Sequence, residues 1–191
     1  MKIMFLHGLE GSPQGTKASY LQEKYGAYVP ELDMSELKGL KKSNGGSWAL
    51  VDRYDVLWAS RVPMKQTREA IEQFCPDMVI GSSMGGAILA KMAVENAWSG
   101  PSIFLASASK LMYGISKVPL PLGQKSVWIH GSSDDIIPVD DSLEIAKASG
   151  GCTEIVDDDH RLEKIIDLGS LDEAIHKLEK YIERTMEESL G

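Results

Sequence analysis

The chain has 191 residues, a length that suits one ordinary domain, and we expect a single domain over residues 1–191. Its composition, 43% hydrophobic and 25% charged, is that of a globular protein and excludes fibrous and disordered classes. The formal net charge of −8 repels phosphate backbones, so we do not expect nucleic acid as a partner.

The two cysteines, Cys75 and Cys152, lie far apart, with no Cys-x-x-Cys or Cys/His cluster around either. We therefore predict no disulfide and no zinc site, and we expect neither a metal nor an organic cofactor. No apolar stretch approaches the roughly 18 residues that span a bilayer, and the apolar run within residues 1–6 is too short for a signal peptide. We expect a cytoplasmic protein without membrane insertion. The sequence leaves the oligomeric state open.

Short apolar runs alternate with longer stretches of helical spacing. Most of the runs are continuously apolar, which is typical of strands buried on both faces of a parallel sheet. They lie at residues 2–6, 27–32, 78–80, 102–106, 126–130 and 153–156. The helical stretches lie at 16–25, 64–74, 84–97, 139–149 and 170–188. This alternation predicts an α/β fold, a three-layer sandwich with a mostly parallel central sheet and helices on both faces.

Two stretches interrupt the alternation. Within residues 33–62, residues 38–46 have the composition of an exposed loop, and the part that follows has helical spacing until Pro63 interrupts it. We predict a small insertion here rather than a second domain. Residues 107–125 have the size of a small lid over a cleft, and the length of the chain leaves no room for a large cap domain.

The strongest chemical signal is the segment Gly81-Ser82-Ser83-Met84-Gly85-Gly86, between an apolar run and an Ala-rich helical stretch. It contains Gly-x-Ser-x-Gly centred on Ser83. Small residues on either side of a nucleophilic serine let the strand and the helix approach closely at a strained turn. The N-terminus of the helix directs free N–H groups at the place where an oxyanion would form. The pattern favours Ser83 over Ser82 as a nucleophile, and the alternative is a turn that only permits tight packing or holds a phosphate.

Two further segments accompany this motif, Leu6-His7-Gly8-Leu9 and His130-Gly131-Ser132-Ser133-Asp134-Asp135-Ile136-Ile137-Pro138. Together the three resemble the motifs of the α/β-hydrolase superfamily, and the compact chain is most similar to small bacterial esterases of the YqiA type. The resemblance implies Ser83 as the nucleophile and the backbone N–H groups of Leu9 and Met84 as the oxyanion hole. It also implies that His7 supports the loop after the first strand.

The same resemblance implies the other two members of a catalytic triad. Its acid segment places the carboxylate at Asp134, and Asp135 is the alternative in a register shifted by one. The base is implied at His160, after the last apolar run, which gives the order nucleophile, acid, base along the chain. Two histidines lie in His-Gly turns and a third, His176, lies in the last helical stretch. The acidic loop 157–160 also has the composition of a divalent-cation site, which is the alternative for His160.

The function implied is a serine hydrolase that cleaves a small-molecule carboxylic ester or thioester through an acyl-enzyme. An acyl-CoA thioesterase is one alternative, with Lys38, Lys41 and Lys42 near the phosphates, and a non-catalytic binding protein of the same fold is another. If the carboxylates of residues 157–159 lie close to His160, they favour its imidazolium form and shift activity to alkaline pH. The side chains predicted to line an acyl pocket are Met34, Trp48, Trp58, Met64, Met112 and Tyr113.

Overall fold

The computed structural model describes residues 1–112, 114–115 and 119–190. Within them the strands form one sheet in which every neighbouring pair is parallel, in the order β1-β2-β3-β4-β5. The strands are Ile3–Leu6 (β1), Met78–Ser82 (β2), Ser102–Leu105 (β3), Ser126–Gly131 (β4) and Cys152–Val156 (β5). The prediction of a mostly parallel sheet is therefore confirmed.

Helices cover both faces of this sheet. They are Thr16–Tyr25 (α1), Ser35–Ser43 (α2), Arg53–Ala59 (α3), Arg61–Phe74 (α4), Met84–Val94 (α5), Val139–Ser149 (α6), Lys164–Asp167 (α7) and Ser170–Leu190 (α8). Successive strand residues point to opposite faces, so Met4 and Leu6 pack with α2 to α6 whereas Ile3 and Phe5 pack with α1, α7 and α8. The three-layer sandwich is thus confirmed. Over the residues described, no helix is both long and apolar enough to cross a membrane.

The predicted strand at 27–32 is wrong. The segment makes only an isolated bridge between Met4 and Tyr28, through one hydrogen bond from Phe5 N–H to the Tyr28 carbonyl and one from Tyr28 N–H to the Ile3 carbonyl, each 2.9 Å. Pro30 has no N–H to donate to a ladder, and the N–H of Leu32 donates to the His7 ring instead. A continuously apolar sequence is therefore not enough to extend the sheet here.

The predicted loop at 38–46 is also wrong for residues 38–43, since α2 continues to Ser43. Leu37 is buried and Leu40 packs against the core, so one apolar face stabilises a helix whose composition is otherwise that of a loop. Pro63 does not interrupt the helical spacing that precedes it. It lies in the first turn of α4, where its missing N–H removes no intrahelical hydrogen bond, and the break occurs at Ser60.

The stretch predicted as a small lid, residues 107–125, contributes to the core. Met112, Leu120 and Leu122 are buried in the layer that contains α5. Lys110 pairs with Asp141 and Glu144 and so connects this stretch to α6. Tyr113 and residues 116–118 lie outside the described residues.

Candidate active site

The predicted site residues converge at one edge of the sheet. Ser83 follows β2, Asp134 lies beyond β4 and His160 beyond β5, while Leu9 lies in the loop after β1. In a parallel sheet the carboxyl ends of all strands meet at the same edge, so chain segments far apart in sequence become neighbours there. The structure brings all four residues together at this edge.

Ser83 stands at a sharp turn between β2 and α5. Its backbone has φ 51° and ψ −116°, a conformation that a non-glycine residue adopts only at a cost. The turn is held by the Ser83 N–H, which donates to the Leu105 carbonyl at 2.8 Å, and by the Ala108 N–H, which donates to the Ser83 carbonyl at 3.1 Å. Hydrogen bonds with the neighbouring strand β3 and with the segment after it therefore hold Ser83 in this strained conformation.

Glycines make this turn sterically possible. A Cβ on Gly85 would lie 2.2 Å from the Leu6 carbonyl oxygen, and a Cβ on Gly81 would lie 2.7 Å from the Gly85 carbonyl oxygen. Both distances are far inside van der Waals contact. The requirement for small residues two positions before and after Ser83, inferred from the sequence, has this physical basis.

Three side chains form a continuous hydrogen-bonded chain. The Nε2 atom of His160 lies 3.0 Å from the Oγ of Ser83, and its Nδ1 lies 2.7 Å from Oδ2 of Asp134. Because the carboxylate can only accept, Nδ1 carries the proton and Nε2 is left to accept from the hydroxyl. The His160 side chain is 19% exposed and that of Asp134 is 0% exposed, so the chain runs from the interior to an accessible serine.

Asp134 is buried but keeps its charge. Burial by itself raises the pKa of its carboxyl, but contacts with the His130 and His160 rings and hydrogen bonds from the N–H groups of Ile137 and Ile136 outweigh burial and hold that pKa well below the usual range. The two backbone bonds, at 2.8 and 2.9 Å, both reach Oδ1. Between the two aspartates left open by the sequence, the structure brings Asp134 rather than Asp135 to His160.

The loop after β1 lies directly against the serine. A Cβ on Gly8 would be 3.1 Å from the Ser83 Cβ and 3.7 Å from its Oγ. The Nδ1–H of His7 donates to the Gly8 carbonyl at 2.9 Å, and Leu32 N–H donates to its Nε2 at 3.3 Å, so the buried ring braces this loop. Across the described residues, the N–H groups of Leu9 and Met84 have no protein acceptor. Both residues line the cavity that contains Ser83, so their N–H groups are available to a ligand there.

This cavity has a volume of about 530 Å³. Of the side chains predicted for an acyl pocket, Trp48 lines it, whereas Met34 and Met112 are buried in the core, Met64 packs against that core, and Trp58 is 64% exposed beneath the Arg61 guanidinium. Tyr113 is outside the described residues. The apolar lining that the sequence did not reveal comes from the segment after β3, with Ala108 and Leu111, and from Ile136 and Ile137 in the acid segment.

In the acidic loop at 157–159, the carboxylates of Asp158 and Asp159 accept hydrogen bonds from nearby backbone N–H groups. Asp158 accepts from the N–H groups of Asp159 and Lys164, Asp159 accepts from Arg161 N–H, and the Asp157 side chain is 97% exposed. In the part of the chain described, Asp134 is the only carboxylate within ion-pair distance of His160. No three His, Cys, Asp or Glu residues among those described are grouped so as to hold a metal ion. The prediction that these three aspartates act on His160 is therefore not supported by their contacts.

One residue of the site was missed by the sequence reasoning, which placed His130 in a turn and gave it no further role. The His130 ring is fully buried at the end of β4, and its Nε2 lies 3.0 Å from Oδ2 of Asp134. The available signal was the spacing of four residues between a histidine and the acid, together with the buried strand on which the histidine lies.

No protein-family model and no curated protein sequence matches the chain. Solved structures do. A hydrolase of the α/β superfamily from Xanthomonas campestris aligns with a TM-score of 0.67 at 19% identity, over 92% of this chain and 96% of that one. The chain has the α/β-hydrolase fold.

Two further structures share this α/β-hydrolase fold. A metagenome-derived lipolytic enzyme aligns with a TM-score of 0.61 at 14% identity, over 94% of this chain and 93% of its own. The ydeN gene product of Bacillus subtilis aligns with a TM-score of 0.59 at 14% identity, over 92% and 98% of the two chains. These likenesses extend over nearly the whole of each aligned chain.

Proposed function

We propose that this protein is a serine hydrolase that cleaves carboxylic esters or thioesters through an acyl-enzyme. The observation that carries the proposal is the chain of hydrogen bonds from Asp134 through His160 to Ser83, ending in an open cavity. A serine hydroxyl becomes nucleophilic when an adjacent neutral imidazole can take its proton and a buried carboxylate stabilises the resulting imidazolium. The positions of the three side chains support the proposal, because they match this arrangement.

The reaction proceeds in two balanced halves. Ser83 Oγ attacks the carbonyl carbon as its proton passes to His160 Nε2, and the negative charge on the substrate oxygen is accepted by the N–H groups of Leu9 and Met84. The tetrahedral intermediate collapses, and the leaving alcohol or thiol takes the proton from His160. Water then attacks the acyl-enzyme with His160 as base, which releases the acid and returns the proton to Ser83.

The fold agrees with this class of chemistry. The Xanthomonas protein is described as a hydrolase and the metagenomic protein as a lipolytic enzyme. Fold alone does not decide activity, so the ester class is supported by the site and not by the likeness. A non-catalytic binding protein would have no need of a strained serine hydrogen-bonded to an imidazole, because strain at such a position costs stability without aiding binding.

Thioesters, acyl-CoA included, remain within the proposed chemistry because the same attack applies to their carbonyl. Lys17, Lys41 and Arg161 line the cavity. Glu10, Asp135, Asp159 and Glu163 line it too, so the cavity does not present a purely cationic surface to phosphates. We therefore place esters first and acyl-CoA second.

The test is a panel of esters and thioesters of graded acyl length, assayed with wild type, Ser83→Ala and Ser82→Ala. We expect Ser83→Ala to lower kcat by about four orders of magnitude or more, since the members of such a triad act as a unit. Ser82→Ala is the matched control and is expected to stay within about tenfold of wild type, because the hydrogen bond of His160 goes to Ser83 and not to Ser82. A Ser83→Ala protein that turns over any substrate at the wild-type rate contradicts the proposal.

A further inference from the structure

His130 is a fully buried histidine inserted between the proposed acid and helix α6. Its Nε2 lies 3.0 Å from Asp134 Oδ2 and 3.0 Å from the Ile137 carbonyl oxygen, while its Nδ1 lies 2.7 Å from the Ser142 hydroxyl. Every polar atom of the ring thus has a partner. A buried, fully partnered imidazole at this place is an unusual use of a core position, because polar side chains are rarely fully buried without a structural or functional need.

The neighbours of the His130 ring indicate which of its two nitrogens carries a proton. Nε2 faces a carbonyl oxygen and a carboxylate oxygen, both of which only accept, so the proton is on Nε2. Nδ1 is then an acceptor, and the Ser142 hydroxyl donates to it. The Nε2–H hydrogen bond runs to the Ile137 carbonyl, with Asp134 Oδ2 beside it at 3.0 Å, and the ring is fixed from behind by α6.

The oxygen that His130 approaches is the one that holds His160. Oδ1 of Asp134 is occupied by the N–H groups of Ile136 and Ile137, and Oδ2 is shared by the two imidazoles. The hydrogen bonds to both oxygens, together with the contact of His130 with Oδ2, restrict the rotation of the carboxylate about its Cβ–Cγ bond. With His130 removed, only His160 would hold Oδ2.

We propose that His130 is a positioning residue: its Nε2–H, hydrogen-bonded to the Ile137 carbonyl, also lies against Asp134 Oδ2 and keeps that oxygen in the orientation that receives the Nδ1–H of His160. The inference rests on the proposed function but concerns a residue that touches neither the nucleophile nor the cavity. The simpler role for His130 is to tie the start of α6 and the residues before it to β4, through Ser142 and Ile137. That role predicts a loss of stability alone, so the two roles are separable.

Loss of His130 is expected to change the charge state of His160 in one direction. A donor to Oδ2 takes up part of the charge of Asp134, so loss of His130 concentrates that charge on His160 and favours its imidazolium form. Because the base is active only when neutral, the acidic limb of the kcat/KM profile moves to higher pH. The other charged groups at the cavity belong to the β1 loop, α1, α2, the loop after Asp134 and the loop between β5 and α7, and none of those described is within ion-pair distance of His160. They are Glu10, Lys17, Lys41, Asp135, Asp159, Arg161 and Glu163.

The experiment compares three variants, each first checked for cooperative thermal unfolding. His130→Asn keeps a polar group near Ser142 but is too short to reach Asp134, whereas His130→Gln carries an amide N–H where the imidazole has Nε2–H. Ser142→Ala is the matched control, since it removes the anchor behind the ring and leaves the donor to Asp134 in place. kcat/KM is measured from pH 5 to pH 10 on the best ester of the panel.

We expect His130→Asn to lower kcat/KM about tenfold to a hundredfold, the usual range for residues that orient a functional side chain from behind it. The acidic limb of its kcat/KM profile should move to higher pH. His130→Gln should recover most of the activity and return the acidic limb to its wild-type position. Ser142→Ala should leave the acidic limb where it is in wild type. An unmoved limb in folded His130→Asn overturns the proposal. If His130→Asn does not fold, a moved limb in His130→Gln overturns it instead.

A spectroscopic readout separates this inference from the proposed function. The Nδ1–H proton of His160, hydrogen-bonded to Asp134, is expected as a low-field proton resonance in wild type, identified by its loss in His160→Gln. His130→Asn should shift or broaden this resonance whether or not an ester is turned over, and an unchanged resonance overturns the positioning role. Absence of Ser83-dependent turnover in wild type contradicts the proposed function and leaves this comparison intact.

Discussion

Asp134 shows how one buried charge can be both costly and useful. Its carboxylate has no exposed surface, yet two backbone N–H groups and two imidazoles surround it. Such a carboxylate is stabilised only while its donors are in place, because an unpartnered buried charge is strongly destabilising. The acid segment therefore carries part of the stability of the fold as well as part of its chemistry.

The lowered pKa of Asp134 predicts a pH dependence of stability. In the unfolded chain the carboxyl takes up a proton near its usual pKa of 3.8, whereas in the folded protein it stays ionised to lower pH. Its contribution is thus complete above about pH 5 and is lost as pH falls below about 4, at no more than about 1.4 kcal/mol per pH unit. The free energy of unfolding of wild type, minus that of Asp134→Asn, should therefore shrink between pH 6 and pH 2.

The control for this measurement is Ser83→Ala, which leaves Asp134 and its donors unchanged. It is expected to follow the wild-type dependence on pH. A difference between wild type and Asp134→Asn that stays constant from pH 6 to pH 2 would contradict the lowered pKa.

Among the elements, the turn between β2 and α5 could be predicted most directly from the sequence. Gly81, Ser83 and Gly85 are needed for steric reasons that are local, so the pattern predicts the geometry without knowledge of the rest of the fold. Asp134 and His160 were predicted as acid and base from the motif resemblance and the chain order, and their side chains lie 2.7 Å apart in the structure. The strand before Asp134 is buried throughout, whereas the strand before His160 is partly exposed.

Other elements depended on contacts that sequence does not display. Residues 27–32 are as apolar as a strand, but Pro30 and the His7 ring take away the hydrogen bonds that a ladder needs. Helix α2 looks like a loop because only one of its residues, Leu37, is fully buried. The cavity lining was the least predictable feature, since Leu111 and Trp48 come from segments whose placement is set by long-range packing.

The close approach of α5 to β1 gives a sharp test at this scale. Gly85→Ala would place a Cβ 2.2 Å from the Leu6 carbonyl oxygen and 2.6 Å from that of His7. Neither backbone oxygen can move without displacing β1 or its loop, so we expect the free energy of unfolding to fall by about 3 kcal/mol or more. Denaturant unfolding followed by circular dichroism measures the loss.

Gly39→Ala is the matched control, because Gly39 lies inside the exposed helix α2 with nothing within 4 Å of its would-be Cβ. There the same substitution should raise the free energy of unfolding by about 0.5–1 kcal/mol. Equal effects at the two positions would mean that the contact between α5 and β1 is looser than the structure shows.

At the scale of the whole molecule, the fold limits the chemistry less than the site does. Structures at 14–19% identity share the architecture over almost their full length, yet such likeness leaves the substrate undetermined. What is particular to this chain is the cavity, with apolar walls from Trp48, Leu111 and Ile137 and charged groups of both signs at its rim. We expect its selectivity to depend on the acyl part of the substrate more than on net charge.

The central claim, that Ser83 is a nucleophile activated by His160, is tested most directly by covalent labelling. The protein is treated with a fluorophosphonate, digested, and the modified residue is identified by mass spectrometry, with Ser83→Ala and Ser82→Ala in parallel. We predict one adduct, on Ser83, in wild type and in Ser82→Ala, and none in Ser83→Ala. An adduct on another residue, or an unlabelled wild-type protein that still hydrolyses esters, would contradict the account.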